Sequence, residues 1–327
     1  MSFKDVRGQE EQITLLRNAI EKDRLAHAYL FFGMKGVGKR TTAEVFAKAL
    51  NCAEGRLDAC DRCISCLKIE KSNHPDVVVL KAAGQFIRIQ EIREIQNQMR
   101  FRPFEGRKRV FILIDAETMN IAAANALLKT LEEPSPSNIL ILLSSRPHQL
   151  PATIVSRCQK VRFRPLARAD VAGYLREKMG LGEEEADLLA ASAAGSIGRA
   201  VEMQRDSELQ VRDRLIAGIS RCRKDDPVGL LLMAGALGKD REAILKNLDI
   251  LRSWYRDVLV YSKTGEKGNL FNRNRLETVK SFAEKLTTAD VLKNVTAVNR
   301  AARAVERNAN KHLTLETLLF KLAHPDG

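Results

Sequence analysis

The sequence predicts an α/β chain: a parallel sheet covered by helices on both faces up to about residue 165, followed by helices alone. Three observations predict it. Short apolar, β-branched runs alternate with helix-patterned stretches through the first half, the pattern of successive βαβ units. The strand signal stops near Pro165. Beyond about residue 207, apolar residues recur at helical spacing over long stretches.

The elements follow in order. Ala28 to Phe32 is an apolar run that ends at Gly33, a strand entering a glycine loop. After the loop, Ala43, Phe46, Ala47 and Leu50 recur at helical spacing. Val77 to Leu80 is β-branched and suits a strand buried on both faces. Ile92, Ile95 and Met99 mark a helix face that ends before Pro103. Val110 to Ile114 gives the strongest strand signal, Ile139 to Leu143 another, and Val161 to Phe163 a last short one. Between the first two of these, Ala122 to Leu131 forms a helix that stops before Pro134. Residues 168–204 read as a small group of helices with breaks at Gly180-Leu181-Gly182 and Gly195–Gly198. Further on, Ile244, Leu248, Leu251, Tyr255 and Val258 form one stripe, and Val291, Val295, Val298 and Val305 another. Ser262 to Asn274 is polar and reads as a loop.

A chain of 327 residues is too long for one compact core and suits two or three domains. Its 45% hydrophobic and 29% charged residues exclude a disordered chain. No apolar run reaches the ~18–20 residues that span a bilayer, and Met1-Ser2-Phe3-Lys4-Asp5 lacks the apolar stretch of a secretory signal. The expectation is a cytoplasmic protein with no membrane partner. A net charge of +13, without any block of like charge, suits either a polyanionic partner or a solvated basic surface.

Gly33-Met34-Lys35-Gly36-Val37-Gly38-Lys39 follows a strand and opens a helix, the context of a phosphate-binding loop. The glycines let backbone N–H groups converge on phosphate oxygens, and Lys39 reaches the outer phosphates. The next position needs Ser or Thr for Mg²⁺ but holds Arg40; Thr41 lies about 100° further round the helix. Asp115 ends its strand as a metal-organising aspartate would. Ala116 follows where a water-polarising glutamate belongs, and Glu117 is one position late. The loop therefore leaves ATP or ADP binding open, and hydrolysis is not expected.

Cys52, Cys60, Cys63 and Cys66 can close one tetrahedral zinc shell. An iron–sulfur cluster and uncoordinated thiols are the other readings. Four protein ligands leave no open position, so such a metal is structural. His74 is read as a loop histidine, and Cys158 and Cys222 as isolated.

Several segments together resemble the bacterial DNA polymerase III clamp-loader subunits of the AAA+ class. They are His27 to Phe31, the four-cysteine insert, His74-Pro75-Asp76, Asn125 to Pro134, Leu150 to Cys158, and Asn308 to Leu313. Two members share this layout, the gamma/tau motor and the delta-prime type. Arg40, Ala116, Ile87 to Arg93 and the end at residue 327 resemble the latter.

The resemblance implies an AAA+ base over 1–165, a helical lid over 166–206 and a helical collar over 207–327. It implies a hetero-pentamer with gamma/tau motor and delta subunits that loads a sliding clamp on primed DNA, as a component of the polymerase holoenzyme. Arg157 would be an arginine finger for a neighbour's ATP, Arg199 the lid arginine that senses nucleotide, and Ser145 a polar sensor at a strand end. Lys129, Glu132 and Glu133 are read as displayed side chains without chemistry. Two other functions compete: an active ATPase of the gamma/tau kind, with Thr41 and Glu117 rescuing the displaced groups, and a stand-alone zinc and DNA-binding module.

Overall fold

The structure, a computed structural model, describes residues 1–55, 57–82, 84–205 and 208–323. The expected boundary at 206–207 lies outside them. The chain divides into two compact units, Met1–Tyr174 with Gly195–Arg199, and Leu175–Ala194 with Ala200–Gly327.

The first unit runs α1 (Glu10–Glu21), β1 (Ala28–Phe32), α2 (Lys39–Asn51), α3 (Ile64–Glu70), β2 (Val77–Leu80), α4 (Ile89–Met99), β3 (Arg109–Leu113), α5 (Ile121–Glu132), β4 (Asn138–Ser144), α6 (Ala152–Val155) and β5 (Gln159–Arg162). The sheet order is β2-β3-β4-β1-β5 and every pairing is parallel. The glycine loop lies between β1 and α2.

Side chains alternate across a strand, and here both faces are apolar. Tyr29, Phe31, Val110, Ile112, Ile139 and Ile141 pack with Ile13 and Leu16 of α1 and Phe46 of α2 on one face. Leu30, Phe111, Leu113, Leu140 and Leu142 pack with Ile92 and Ile95 of α4 and Leu127 and Leu131 of α5 on the other. Val77–Leu80 departs from expectation. Only Val77 is buried and the rest are half-buried, because β2 is an edge strand.

The remaining helices are α7 (Arg168–Met179), α8 (Glu183–Ser192), α9 (Ile197–Arg205), α10 (Glu208–Arg221), α11 (Pro227–Ala236), α12 (Arg241–Thr264), α13 (Leu276–Lys285), α14 (Thr288–Glu306) and α15 (Lys311–Leu322). In the second unit, the α12 stripe packs with Phe282 of α13, Val291 and Val298 of α14 and Leu315 and Leu319 of α15. Trp254 meets Phe282 edge-to-face at 5.6 Å. The expected loop Ser262 to Asn274 starts three residues later, since α12 continues through Thr264 and stops at Gly265 in the left-handed region, φ 66°. That loop is anchored by buried Asp257, which accepts from the N–H groups of Phe271 (3.1 Å) and Asn272 (2.7 Å).

Asp76 does the same work beside the sheet. Its buried carboxylate accepts from the N–H groups of Phe104, Glu105 and Gly106 at 2.8–2.9 Å and from Arg109 Nε at 3.1 Å. Burial alone would raise this carboxyl's pKa; the backbone donors and Arg109 outweigh it and hold it below its ordinary value. Asp76→Ala should destabilise the fold by about 3 kcal/mol, because four donors lose a charged acceptor. A depressed folded-state pKa means the wild-type contribution is complete above the unfolded value of about 3.9 and fades as pH falls below it. Urea midpoints measured at pH 7 and at pH 3 for both proteins test this: the gap should narrow in acid, and a gap independent of pH would contradict it.

Candidate functional site

The glycine loop leaves β1 and closes on α2. Gly36 and Gly38 take φ of 76° and 98°, which L side chains rarely adopt. Gly36 is also a point of close approach. A Cβ there would meet Ser196 Oγ at 2.3 Å and Gly198 Cα at 2.9 Å. Gly198 N–H donates to Gly36 O (3.0 Å) and Ser196 Oγ donates to Lys35 O (2.9 Å). The turn at Gly195–Arg199 is thus laid on the phosphate loop, and it carries Arg199, whose own N–H donates to Ser196 Oγ at 3.0 Å.

Lys39 is buried and folds over the loop, donating from Nζ to Gly33 O (2.6 Å) and Met34 O (2.7 Å). Burial pushes its ammonium pKa down, against the opposing pull of the Glu117 and Asp115 carboxylates. Arg40 turns away from the loop and pairs with Glu44 at 2.7 Å on α2, one helical turn on. The Thr42 hydroxyl donates to Gly38 O at 2.9 Å, back-bonding its own helix. Thr41 is half-buried.

Asp115 follows β3 in the left-handed region, φ 53°, and starts a 3-10 turn over Ala116–Thr118. That turn sends Ala116 into the apolar core and Glu117 towards the end of β4. There Glu117 Oε1 accepts from Ser145 Oγ (2.7 Å) and Ser145 N (3.1 Å), while Oε2 is buried without a partner. Burial raises the Glu117 pKa, but the hydrogen bonds from Ser145 and Ser144 hold it below its ordinary value. A carboxylate displaced by one position in sequence is therefore folded back beside Lys39. Spacing alone missed this, since only the left-handed backbone at Asp115 produces it.

Arg157 follows α6 and reaches the surface. Its Nη2 pairs with Glu132 Oε1 at 2.8 Å and its Nη1 donates to Thr153 O at 3.1 Å, with 37% of the side chain exposed. Glu132, read from sequence as displayed without chemistry, is thus the group that orients this guanidinium.

The four cysteines converge. The Sγ atoms of Cys52, Cys60, Cys63 and Cys66 all lie within 4.8 Å of one another, and Cys52 and Cys63 are 4.0 Å apart. Sulfurs around one tetrahedral ion at ~2.3 Å sit ~3.8 Å apart, so the set can hold a single ion. Backbone N–H groups of Gly55, Cys63 and Cys66 donate to Cys52, Cys60 and Cys63 at 3.0–3.4 Å, as thiolates require. Burial opposes ionisation of Cys63, but the N–H donors of Cys66 and Ala53 prevail and bring its pKa to about 6. His74 is no part of this set. It is buried, accepting from Asp76 N–H on Nδ1 (3.1 Å) and facing Ser65 Oγ with Nε2 (3.0 Å). Cys158 and Cys222 are buried and free. No described helix is long and apolar enough to cross a membrane.

Comparison with known proteins identifies the relatives of the chain. Residues 8–167 match the family described as "DNA polymerase III, delta subunit", and residues 207–324 its C-terminal counterpart. The chain is 32% identical to DNA polymerase III subunit delta' of Bacillus subtilis, covering 98% of both chains. It is 30% identical to subunit delta' of Pseudomonas aeruginosa over 92% of this chain and 93% of that one. Subunit tau of Bacillus subtilis is 28% identical over 98% of this chain, which spans 61% of tau. The chain belongs to the delta-prime family of DNA polymerase III subunits, related to gamma and tau.

Proposed function

We propose that the chain is a non-hydrolysing cytoplasmic subunit of a clamp loader, assembled with gamma/tau motor and delta subunits to place a sliding clamp on primed DNA. Its division of labour is the one implied by sequence, a base over 1–165, a lid over 166–206 and a collar over 207–327. One observation carries the reading: Ala116 is sunk in the core where a glutamate would have to face the loop, and Arg40 points at Glu44 where a hydroxyl would have to face a metal. Phosphoryl transfer depends on positioned charge, and both positions lack it. The loop's glycines and Lys39 still suit retention of ATP or ADP, with Asp115, Ser145 and Arg199 around it, and its chemistry stops at binding.

Arg157 would act in trans as an arginine finger on ATP held by a motor subunit. Its guanidinium would stabilise charge developing on the transferred phosphoryl group, with Glu132 as the positioning residue that keeps it extended at the surface. Active hydrolysis of the gamma/tau kind is the second reading, and Glu117 is the observation that favours it. Against it, Glu117 Oε1 is already committed to Ser145, and the position directly after Lys39 holds Arg40 in place of a hydroxyl.

The cysteine set would hold a structural zinc ion, closing the segment between α2 and α3. Metal analysis of the purified protein should find about one zinc per chain, with loss of the ion in Cys60→Ser. Wild-type protein without zinc would contradict the assignment.

Arg157→Ala should leave the subunit folded and able to assemble. ATP turnover at the adjoining motor site should fall by about 10³-fold, and Glu132→Gln should lower it to a lesser degree. Steady-state turnover of the reconstituted complex measures this; unchanged turnover with Arg157→Ala would remove the finger.

A further inference from the structure

A cavity of about 600 Å³ opens at the opposite edge of the sheet from the glycine loop. His27, which immediately precedes β1, and Asn138, the first residue of β4, both line it, as do the closing turns of α4 and α5. Its volume is that of a site for a ligand of nucleotide size.

Its floor is polar and incompletely paired. Asn138 is 93% buried, with 7% of its surface exposed, and its Nδ2 is fixed by donation to Met99 O at 2.7 Å. The amide orientation is thereby set, and Oδ1 is left as a buried acceptor without a partner. His27 Nε2 is likewise buried and unpartnered. Such groups are costly in a folded protein unless something meets them.

The mouth is cationic. Arg93, Arg100 and Lys129 line it, all exposed, and none forms an ion pair with a described residue; Glu133 is the one carboxylate among the lining residues. Phe101, next to Arg100, is 67% exposed.

We propose that this cavity takes one nucleotide of a single-stranded nucleic acid. The three cations meet phosphates, and an exocyclic amino group of the base donates to Asn138 Oδ1. The polar edge of the same base reaches His27 Nε2, and Phe101 offers a stacking surface to the adjoining base. A duplex would not serve, since its base edges are already paired and stacked. An acidic peptide would satisfy the cations but leave the floor without a planar donor.

The test measures fluorescence anisotropy of labelled short strands on the complete chain. Oligo-dC should bind about tenfold or more tightly than a strand of equal length and charge with abasic sugars, since each seated base contributes a stacking-scale energy. The triple reversal Arg93→Glu, Arg100→Glu, Lys129→Glu should weaken oligo-dC binding about tenfold or more and flatten its salt dependence by roughly two units of slope. A control of identical charge change, Lys22→Glu, Lys71→Glu, Lys160→Glu, should stay within about twofold of wild type. All six positions are exposed, so folding is not at stake. Equal binding of the abasic strand, equal loss in both triples, no strand binding by the wild type, or displacement by free dCMP in place of strand binding would each overturn the proposal.

Discussion

Parallel pairing of five strands is the constraint on which the rest depends. Registers such as Phe32 with Ser144 and with Arg162 force the strands to end level with one another. Gly33, Asp115 and Ser145 belong to loops far apart in sequence, yet each follows the carboxyl end of a strand of the same sheet. Ligand sites of open α/β sheets form at that edge for this reason. Because both faces of the sheet are buried, a one-residue slip would turn strand side chains from one core to the other. The site is therefore only as movable as the core itself.

At this edge the chain brings together a glycine loop, its lysine and a few charged side chains. The loop, its lysine and the turn at Gly195–Arg199 pack to backbone contact, which the Gly36–Gly198 approach permits and any larger side chain would block. Ala116, the residue after Asp115, is sunk in the core. A neighbouring acid is held by Ser145 instead. Conversely, Arg157 is not drawn into its own pocket; Glu132 and Thr153 hold it outward. The cysteine segment adds a local brace. α2 runs from the phosphate loop to Asn51, adjoining Cys52, and buried Lys48 on the same helix pairs with Asp61 (2.9 Å) between the cysteines and with Glu70 of α3. A buried ammonium is tolerated only with such partners.

Much of this was legible in the sequence because it is periodic or local. Strands at 28–32, 109–113 and 138–144 contain continuous apolar runs, and four cysteines within fifteen residues have few other uses. What escaped depends on tertiary context. β2 reads like a central strand, yet it lies at the edge, and nothing in Val-Val-Val-Leu distinguishes the two. Glu117 reaches Ser145 through a left-handed turn at Asp115, a conformation an aspartate tolerates but does not announce. The Glu132–Arg157 pair spans 25 residues, and the Asp76 and Asp257 anchors bind backbone N–H groups, which carry no residue signature.

The central claim is that this pocket retains nucleotide without cleaving it. Single-turnover analysis addresses it most directly: the isolated chain is mixed in excess with labelled ATP and Mg²⁺, and the bound nucleotide is recovered and identified. The account predicts intact ATP over many turnover times of an active motor subunit. Recovery of ADP and phosphate, lost in Lys39→Ala, would contradict it.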